Sequence, residues 1–387
     1  MYDISREWAH ITYPEESAYL DTYGFSRSQG MVNLEGILVR PRNRMSRTLL
    51  IYMHPSATMQ LLPAPTHAAA HGAHILCAGS RYPKNDSALI MENVARDLGA
   101  WIRHAREVWN YRNIVLAGWS GGGSLSMFYQ AQAENPTITH TPAGDAVDLT
   151  TSQLIPADAV VFQAAHLSRA QLLADWIDPS VLDELNPDVR DQRLDIYDPN
   201  NPVQPPYDAA YIAEFREAQR ARVRKIAAWA RGELDTLQQR GGAEVERGFV
   251  IHRTMADPRF IDSTLDPNGR RSNWCYLGNP ETVNNGPAGL ARFSTLRSFL
   301  SQWSIEDTNA HAPNNAPSVN VPMLAIENGA DDAVPQPHTQ IVFDAVGSQD
   351  KQMHVIEGAT HYYAGQPELL SQATTLMLDW LRNRNFD

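Results

Sequence analysis

A serine enclosed by glycines is the strongest chemical signal in the sequence. Residues 118–122 read Gly-Trp-Ser-Gly-Gly, between an apolar run at 113–117 and a helix-like stretch at 125–133. A strand that turns directly into a helix tolerates only very small neighbouring side chains and exposes the hydroxyl at its tip. The alternative, an incidental serine in a glycine-rich turn, does not account for the flanking strand and helix. We therefore predict that Ser120 is a nucleophile.

A serine hydroxyl is a weak nucleophile near neutral pH, so it needs a base that can take its proton. His361 follows the strand-like run 352–357 and precedes a helix-like stretch at 368–382. Loops at strand ends commonly hold catalytic residues on a rigid scaffold. None of the other twelve histidines combines this position with a preceding acid. His361 is therefore the predicted general base.

Two neighbouring aspartates are candidates for the acid that would orient this histidine. They follow the apolar run 321–327 in the segment Asn-Gly-Ala-Asp-Asp-Ala-Val-Pro. Asp331 has two residues between itself and the Val-Pro pair, and this loop spacing favours it. Counting three residues from the glycine selects Asp332 instead, so Asp332 remains the alternative. The unused aspartate would be a solvated turn residue or a helix cap.

Short apolar runs alternate with amphipathic stretches, and this alternation predicts the elements that would hold these residues. It indicates an α/β protein with a mostly parallel central sheet that helices cover on both faces. The predicted strands are 32–39, 48–53, 74–78, 113–117, 159–162, 321–327 and 352–357, and the predicted helices are 87–109, 125–133 and 368–382. A polar opening segment precedes them.

The alternation stops at residues 166–319, which we predict to be a mainly helical cap inserted after the sixth sheet strand. The predicted core is then 1–165 and 320–387. The clearest element of the insertion is a long helix at 208–240, because two prolines precede it and two glycines follow it. Residues 309–317 are predicted to be a flexible linker. The large aromatic side chains of the insertion are expected either to line an apolar pocket or to form its own core.

Taken together, the serine turn, the DDAVP segment and the GATHYY segment resemble the α/β-hydrolase superfamily of serine esterases and lipases. The resemblance covers roughly 1–165 and 320–387. It implies two oxyanion-hole amides, one from the residue after the nucleophile, Gly121, and one from the loop after the strand 48–53. Many relatives have His-Gly where this chain has His54-Pro55. Proline has no N–H, so Ser56 would supply the second amide.

The resemblance implies hydrolysis of a carboxylic ester or lactone through an acyl-enzyme, without a cofactor. An amidase, a thioesterase or an acyltransferase with the same triad remains an alternative, because the triad determines acyl transfer but neither the leaving group nor the acceptor. A non-catalytic ligand-binding protein of this fold is less favoured, since all three triad members are available. The expected partner is a small molecule with an apolar portion, and the oligomeric state stays open.

Composition excludes several other classes of function. The formal net charge is −12, whereas nucleic acids and anionic membranes attract clusters of basic residues. No apolar run approaches the roughly 20 residues of a membrane-spanning helix. The two cysteines form no metal-binding or disulfide pattern, and the histidines lack the spacing of a zinc protease. We therefore expect a cytoplasmic protein with no metal, nucleic-acid or membrane partner.

Overall fold

The short apolar runs form a central sheet in the computed structural model, which describes residues 1–14, 31–266 and 268–386. In chain order the strands are β1 (Ile4–Pro14), β2 (Met31–Pro41), β3 (Thr48–Met53), β4 (His74–Ala78), β5 (Asn113–Trp119), β6 (Ala159–Gln163), β7 (Gly248–Val250), β8 (Phe293–Thr295), β9 (Met323–Asn328) and β10 (Lys351–Ile356). The central sheet has the order β1-β2-β4-β3-β5-β6-β9-β10, and β7 pairs with β8 separately.

Six neighbouring strands of the central sheet, from β4 to β10, run parallel, whereas β1 and β2 are antiparallel to their neighbours. Strands β3, β4 and β6 are buried along their whole length. Both faces of a parallel sheet are covered, so its strands are apolar without alternation. The structure confirms the predicted bounds of β3 and β4, because both runs are continuous and end abruptly.

Strand β1 was not predicted from the sequence. It pairs with β2 over its full length, from Ile4 opposite Pro41 to Pro14 opposite Met31. As the edge strand of the sheet it buries few side chains, among them Ala9 and Ile11. An exposed edge strand has a weak apolar signal, because solvent rather than a helix covers much of its surface.

Helices cover both faces of the sheet. In chain order they are α1 (Pro63–Ala70), α2 (Met91–Glu107), α3 (Gly121–Glu134), α4 (Arg169–Trp176), α5 (Ala209–Arg240), α6 (Pro280–Asn285), α7 (Leu296–Gln302), α8 (Ala312–Asn315), α9 (His338–Ala345) and α10 (Pro367–Arg382). One apolar core contains Trp101 of α2 and Phe128 of α3. The core on the other face contains side chains of α1 and α10, including Met377.

The chain leaves the sheet after β6 and returns at β9, and residues 164–322 between these strands are called the insertion below. Its longest helix, α5, begins after Asp208, whose carboxylate accepts the amide hydrogen of Tyr211. It ends at Gly241, which has a φ of 65°. These are the ends that the sequence predicted. The insertion has apolar cores of its own, one of them around Trp176 and Trp303.

The end of the insertion differs from the sequence prediction. Residues 309–317, predicted to be a flexible linker, contain α8, and Ala312 and Ala316 are buried in the core that α3 also joins. The amide of Ala312 donates to the carbonyl of Leu167 at 2.7 Å. Small apolar residues among prolines and asparagines permit this close packing, and the composition alone resembles that of a linker.

Candidate active site

Ser120 lies at the turn between β5 and α3, in a backbone conformation that residues other than glycine rarely adopt. Its φ is 54° and its ψ is −125°. The amide of Ser120 is held by the carbonyl oxygens of Gln163 and Ala164 just after β6, at 3.3 and 3.2 Å. Strained non-glycine residues of this kind persist where the surroundings enforce them, and they are concentrated at functional sites.

The glycines around Ser120 are required by close packing. A Cβ atom on Gly118 would lie 2.6 Å from the Cα of Gly123. A Cβ on Gly122 would overlap the carbonyl oxygen of Met53 at the end of β3, and one on Gly123 would overlap the side chain of Ala165. Helix α3 therefore begins directly against the sheet, and this contact holds the serine turn in place.

His361 and Asp331 meet in a buried hydrogen bond. Both carboxylate oxygens of Asp331 lie 3.0 Å from Nδ1 of His361, and both side chains are almost fully buried. Oδ1 of Asp331 also accepts the amide hydrogens of Ala333 and Val334, at 2.8 and 2.7 Å. A carboxylate held by these two amides keeps the proton of the neutral imidazole on Nδ1, which leaves the lone pair of Nε2 available as a base.

Asp332 contacts the same histidine through the backbone rather than the ring. Its Oδ1 accepts the amide hydrogen of His361 at 3.1 Å, and its carbonyl accepts the amide hydrogen of Tyr276 at 2.8 Å. Burial raises the pKa of Asp332, opposed by the bond from the His361 amide. Of the two candidate acids, Asp331 contacts the imidazole and Asp332 holds the loop that carries it.

Three aromatic rings surround His361. The ring of Trp119, the residue before Ser120, has its centre 4.2 Å from that of the imidazole. The corresponding distances are 5.0 Å for Tyr362 and 6.1 Å for Tyr276, which belongs to the insertion. The Trp119 contact brings the histidine loop beside the serine turn. The three rings also give the site an apolar border.

The two predicted oxyanion donors differ in their surroundings. Gly121 is the first residue of α3, where the amide hydrogen has no partner within the helix. The amide of Ser56, by contrast, donates to Nδ1 of His54 at 3.2 Å, and the amide of Ala57 donates to the same nitrogen at 2.9 Å. The Ser56 amide thus has an imidazole acceptor, and its role as an oxyanion donor stays a prediction.

A buried network that the sequence analysis missed lies beneath the histidine loop. The hydroxyl of Tyr363 accepts from Nε2 of Gln163 at 3.0 Å and donates to Oδ1 of Asn328 at 2.6 Å. Nδ2 of Asn328 donates in turn to the carbonyl of Thr360 at 2.9 Å. The network joins the ends of β6 and β9 to the segment before His361. Its sequence signal is an amide side chain as the last residue of each strand.

Further buried polar atoms near the site were also missed. Nδ1 of His166 and Nε1 of Trp176 are fully buried without a hydrogen-bond partner in the described part of the chain. Burial, reinforced by nearby cationic groups of which His338 has the largest effect, holds the pKa of His166 well below its usual range. The ring of Trp176 stacks on Tyr276 at 5.7 Å. Tyr276 of the insertion thus contacts the ring of His361, and Trp176 packs against Tyr276.

The insertion also contacts the loop of the acid. Nδ2 of Asn268 donates to the carbonyl oxygen of Asp331 at 3.2 Å, and Arg270 lies 3.5 Å from the same oxygen. Arg81, in the loop after β4, forms a buried ion pair with Asp97 at 2.9 Å.

The described residues form neither a candidate metal site nor a helix able to span a membrane. Within residues 1–14, 31–266 and 268–386, no group of three or more His, Cys, Asp or Glu side chains could hold a metal ion. Nδ1 of the buried His74 lies 2.7 Å from the Tyr111 hydroxyl. No helix in this part of the chain has both the length and the apolar character needed to cross a membrane.

No protein-family model and no curated protein sequence matches the chain. Solved structures do match it over nearly its whole length. DcsB, in complex with its substrate analogue, has a TM-score of 0.52 and 13% identity, with 97% of this chain and 99% of that one covered. Est1E from Butyrivibrio proteoclasticus has a TM-score of 0.46 and 12% identity, covering 91% and 96%.

The peroxisomal alpha-beta-hydrolase Lpx1 from Saccharomyces cerevisiae has a TM-score of 0.46 and 10% identity, covering 98% of this chain and 90% of its own. At such identities structural similarity concerns the fold alone. The central sheet is mostly parallel and flanked by helices, and a strained serine stands on the turn from β5 to α3. The chain therefore has the α/β-hydrolase fold.

Proposed function

We propose that this protein is a serine hydrolase that cleaves a carboxylic ester or a lactone, with Ser120 as nucleophile, His361 as general base and Asp331 as the acid that orients the base. The observation that carries the proposal is the buried 3.0 Å contact between Asp331 and Nδ1 of His361. This contact leaves Nε2 as the basic nitrogen, on a loop packed beside the strained serine turn.

In the first half of the reaction, the Ser120 hydroxyl attacks the substrate carbonyl and its proton passes to Nε2 of His361. The carbonyl oxygen becomes an oxyanion, which accepts a hydrogen bond from the amide of Gly121. The imidazolium is stabilised by the Asp331 carboxylate. When the tetrahedral intermediate collapses, the bond to the leaving oxygen breaks, and His361 returns its proton to that oxygen.

In the second half, water replaces the alcohol. His361 takes a proton from the water, whose oxygen attacks the acyl carbon bound to Ser120. Collapse of the second intermediate breaks the acyl–oxygen bond to the serine, which regains its proton from His361, and the carboxylic acid leaves. Every proton is carried by His361, so this scheme requires no cofactor.

The insertion is proposed to act as a cap over this site. Its residues Tyr276, Asn268 and Arg270 contact the loop that carries Asp331. Tyr276 also reaches His361, and Trp176 stacks behind it. These rings would border the bound substrate, so we expect a small molecule with an apolar portion as the substrate.

A fluorophosphonate probe tests the nucleophile. The wild-type protein should be labelled once, on Ser120, and a folded Ser120→Ala variant should not be labelled. Triad deletions lower turnover by several orders of magnitude, so the same variant should lose hydrolysis of an aryl ester. Labelling of Ser120→Ala at full stoichiometry would place the nucleophile elsewhere, and absence of labelling in the wild type would favour a ligand-binding protein.

A substrate panel then separates the chemistries that share this triad. Aryl and alkyl esters and lactones are expected to turn over with higher kcat/KM than matched amides and thioesters. The addition of an alcohol acceptor should not divert most of the acyl group from water. Preference for an amide, a thioester or an alcohol acceptor would instead identify the protein as an amidase, a thioesterase or an acyltransferase.

A further inference from the structure

His54 is held in one tautomer by the loop that follows β3. Its Nδ1 accepts hydrogen bonds from the amides of Ser56 and Ala57, at 3.2 and 2.9 Å. A nitrogen that accepts two N–H groups carries no hydrogen, so the hydrogen of the neutral ring is on Nε2. Burial, with smaller contributions from the charges of Arg169 and His361, lowers the pKa of His54 to about 3. The ring is therefore neutral near pH 7, with Nε2–H as its only donor.

This donor lies beside the residue that follows the nucleophile. A Cβ atom on Gly121 would be only 2.6 Å from Nε2 of His54. His54 as a whole is only 6% exposed, and a buried N–H is normally hydrogen-bonded. Even so, no described residue forms a hydrogen bond with Nε2. The N–H of Nε2 therefore lies next to Gly121 and has no acceptor among the described residues.

The backbone of the same loop lacks an available amide at this position. Pro55 has no N–H, and the amides of Ser56 and Ala57 both donate to the imidazole. An oxyanion hole commonly combines two donors aimed at the developing negative charge, and side chains supply such donors as well as amides. The amides of Ser56 and Ala57 thus orient the imidazole of His54. Its Nε2–H is the hydrogen-bond donor that remains.

We propose that Nε2–H of His54 is the second oxyanion donor, acting together with the amide of Gly121. The inference rests on the proposed function, because it requires a tetrahedral intermediate on Ser120. His54 forms no covalent bond, and its proton stays on Nε2 throughout. The proton that moves is that of Ser120, which goes to His361.

Two substitutions separate the two nitrogens of His54. In His54→Asn, the side-chain oxygen can replace Nδ1 as acceptor for the loop amides, but no donor remains at the position of Nε2. In His54→Gln, the longer side chain can place its NH₂ group near the position of Nε2, but the acceptor for the loop is lost. The matched control is His74→Asn, which replaces another buried histidine, on β4.

We expect His54→Asn to lower kcat for an aryl ester by about 10²–10³-fold, with KM changed less than about threefold, as for other lost oxyanion donors. The affinity for a trifluoromethyl ketone, which forms a tetrahedral adduct, should fall by a similar factor. Competitive inhibition by the product acid should stay nearly constant. His54→Gln should recover at least tenfold in kcat over His54→Asn, and His74→Asn should leave kcat near wild type.

Near wild-type kcat and ketone affinity in folded His54→Asn would overturn the proposal, as would a large fall confined to Ser56→Pro. If His54→Asn does not fold, His54→Gln decides, and a kcat no higher than that of His54→Ala would overturn it. Fluorophosphonate labelling distinguishes this failure from failure of the proposed function. If the probe labels Ser120 but His54→Asn is fully active, only the proposed role of His54 is contradicted. If the wild-type protein is not labelled, the proposed function and the role of His54 are both contradicted.

Discussion

Replacement of Asp331 by asparagine should reverse the tautomer of His361. Oδ1 of Asp331 accepts two amide hydrogens, from Ala333 and Val334, at 2.8 and 2.7 Å. In the asparagine variant these amides hold the side-chain oxygen, so the NH₂ group faces Nδ1 of His361 and donates to it. Nδ1 must then be an acceptor, and the ring hydrogen moves to Nε2. The base can no longer take a proton from Ser120.

The expected effect is a fall in kcat on the order of 10⁴, the size seen when the serine protease triad acid is changed in this way. This factor corresponds to about 5.4 kcal/mol of transition-state stabilisation. KM should change little, because the acid acts on the transition state and not on substrate binding. The assay is steady-state hydrolysis of an aryl ester, with circular dichroism confirming that the variant is folded.

Asp332→Asn is the matched control. Oδ1 of Asp332 accepts the amide hydrogen of His361 at 3.1 Å, and the asparagine oxygen can accept the same bond. We therefore expect a loss of less than about tenfold in kcat. The opposite result, with Asp332→Asn inactive and Asp331→Asn active, would refute the assignment and make Asp332 the acid. Normal turnover in both folded variants would exclude this loop and direct attention to Glu327.

Three further variants test the structure around the site by urea unfolding. Tyr363→Phe should lower the free energy of unfolding by about 1–3 kcal/mol, because its hydroxyl bonds two buried amide groups, including that of Asn328; an unchanged midpoint would contradict the network. Arg81→Ala should cost about 3–5 kcal/mol, since it leaves the buried Asp97 carboxylate without its ion-pair partner; a loss below 1 kcal/mol would contradict this. Burial raises the pKa of Glu92 to about 7, so the folded state retains the proton and stability should fall by about 3 kcal/mol between pH 4.5 and 8; an equal decline in Glu92→Gln would assign the effect elsewhere.

The sequence by itself was enough to predict the fold class and the position of the serine turn. Continuous apolar runs such as 48–53 and 74–78 are typical of strands covered on both faces, and the long helix 208–240 is marked at both ends by its own residues. Gly118 and its neighbours signal a turn too crowded for side chains. These signals are local, so each can be read within a few residues.

What only the tertiary structure decided involves residues that are distant along the chain. Asp331 and Asp332 have the same chemistry and adjacent positions. The direction of each carboxylate decides that Asp331 contacts the imidazole of His361 and Asp332 contacts its backbone amide. The edge strand β1 has a weak apolar pattern of its own and is defined by its pairing with β2. The sequence predicted a free amide at Ser56. In the structure this amide donates to the imidazole of His54, and the position of that ring depends on its packing against Gly121 after β5. Side-chain direction and packing across strands carry no local signal, so they become visible only when the sheet is assembled.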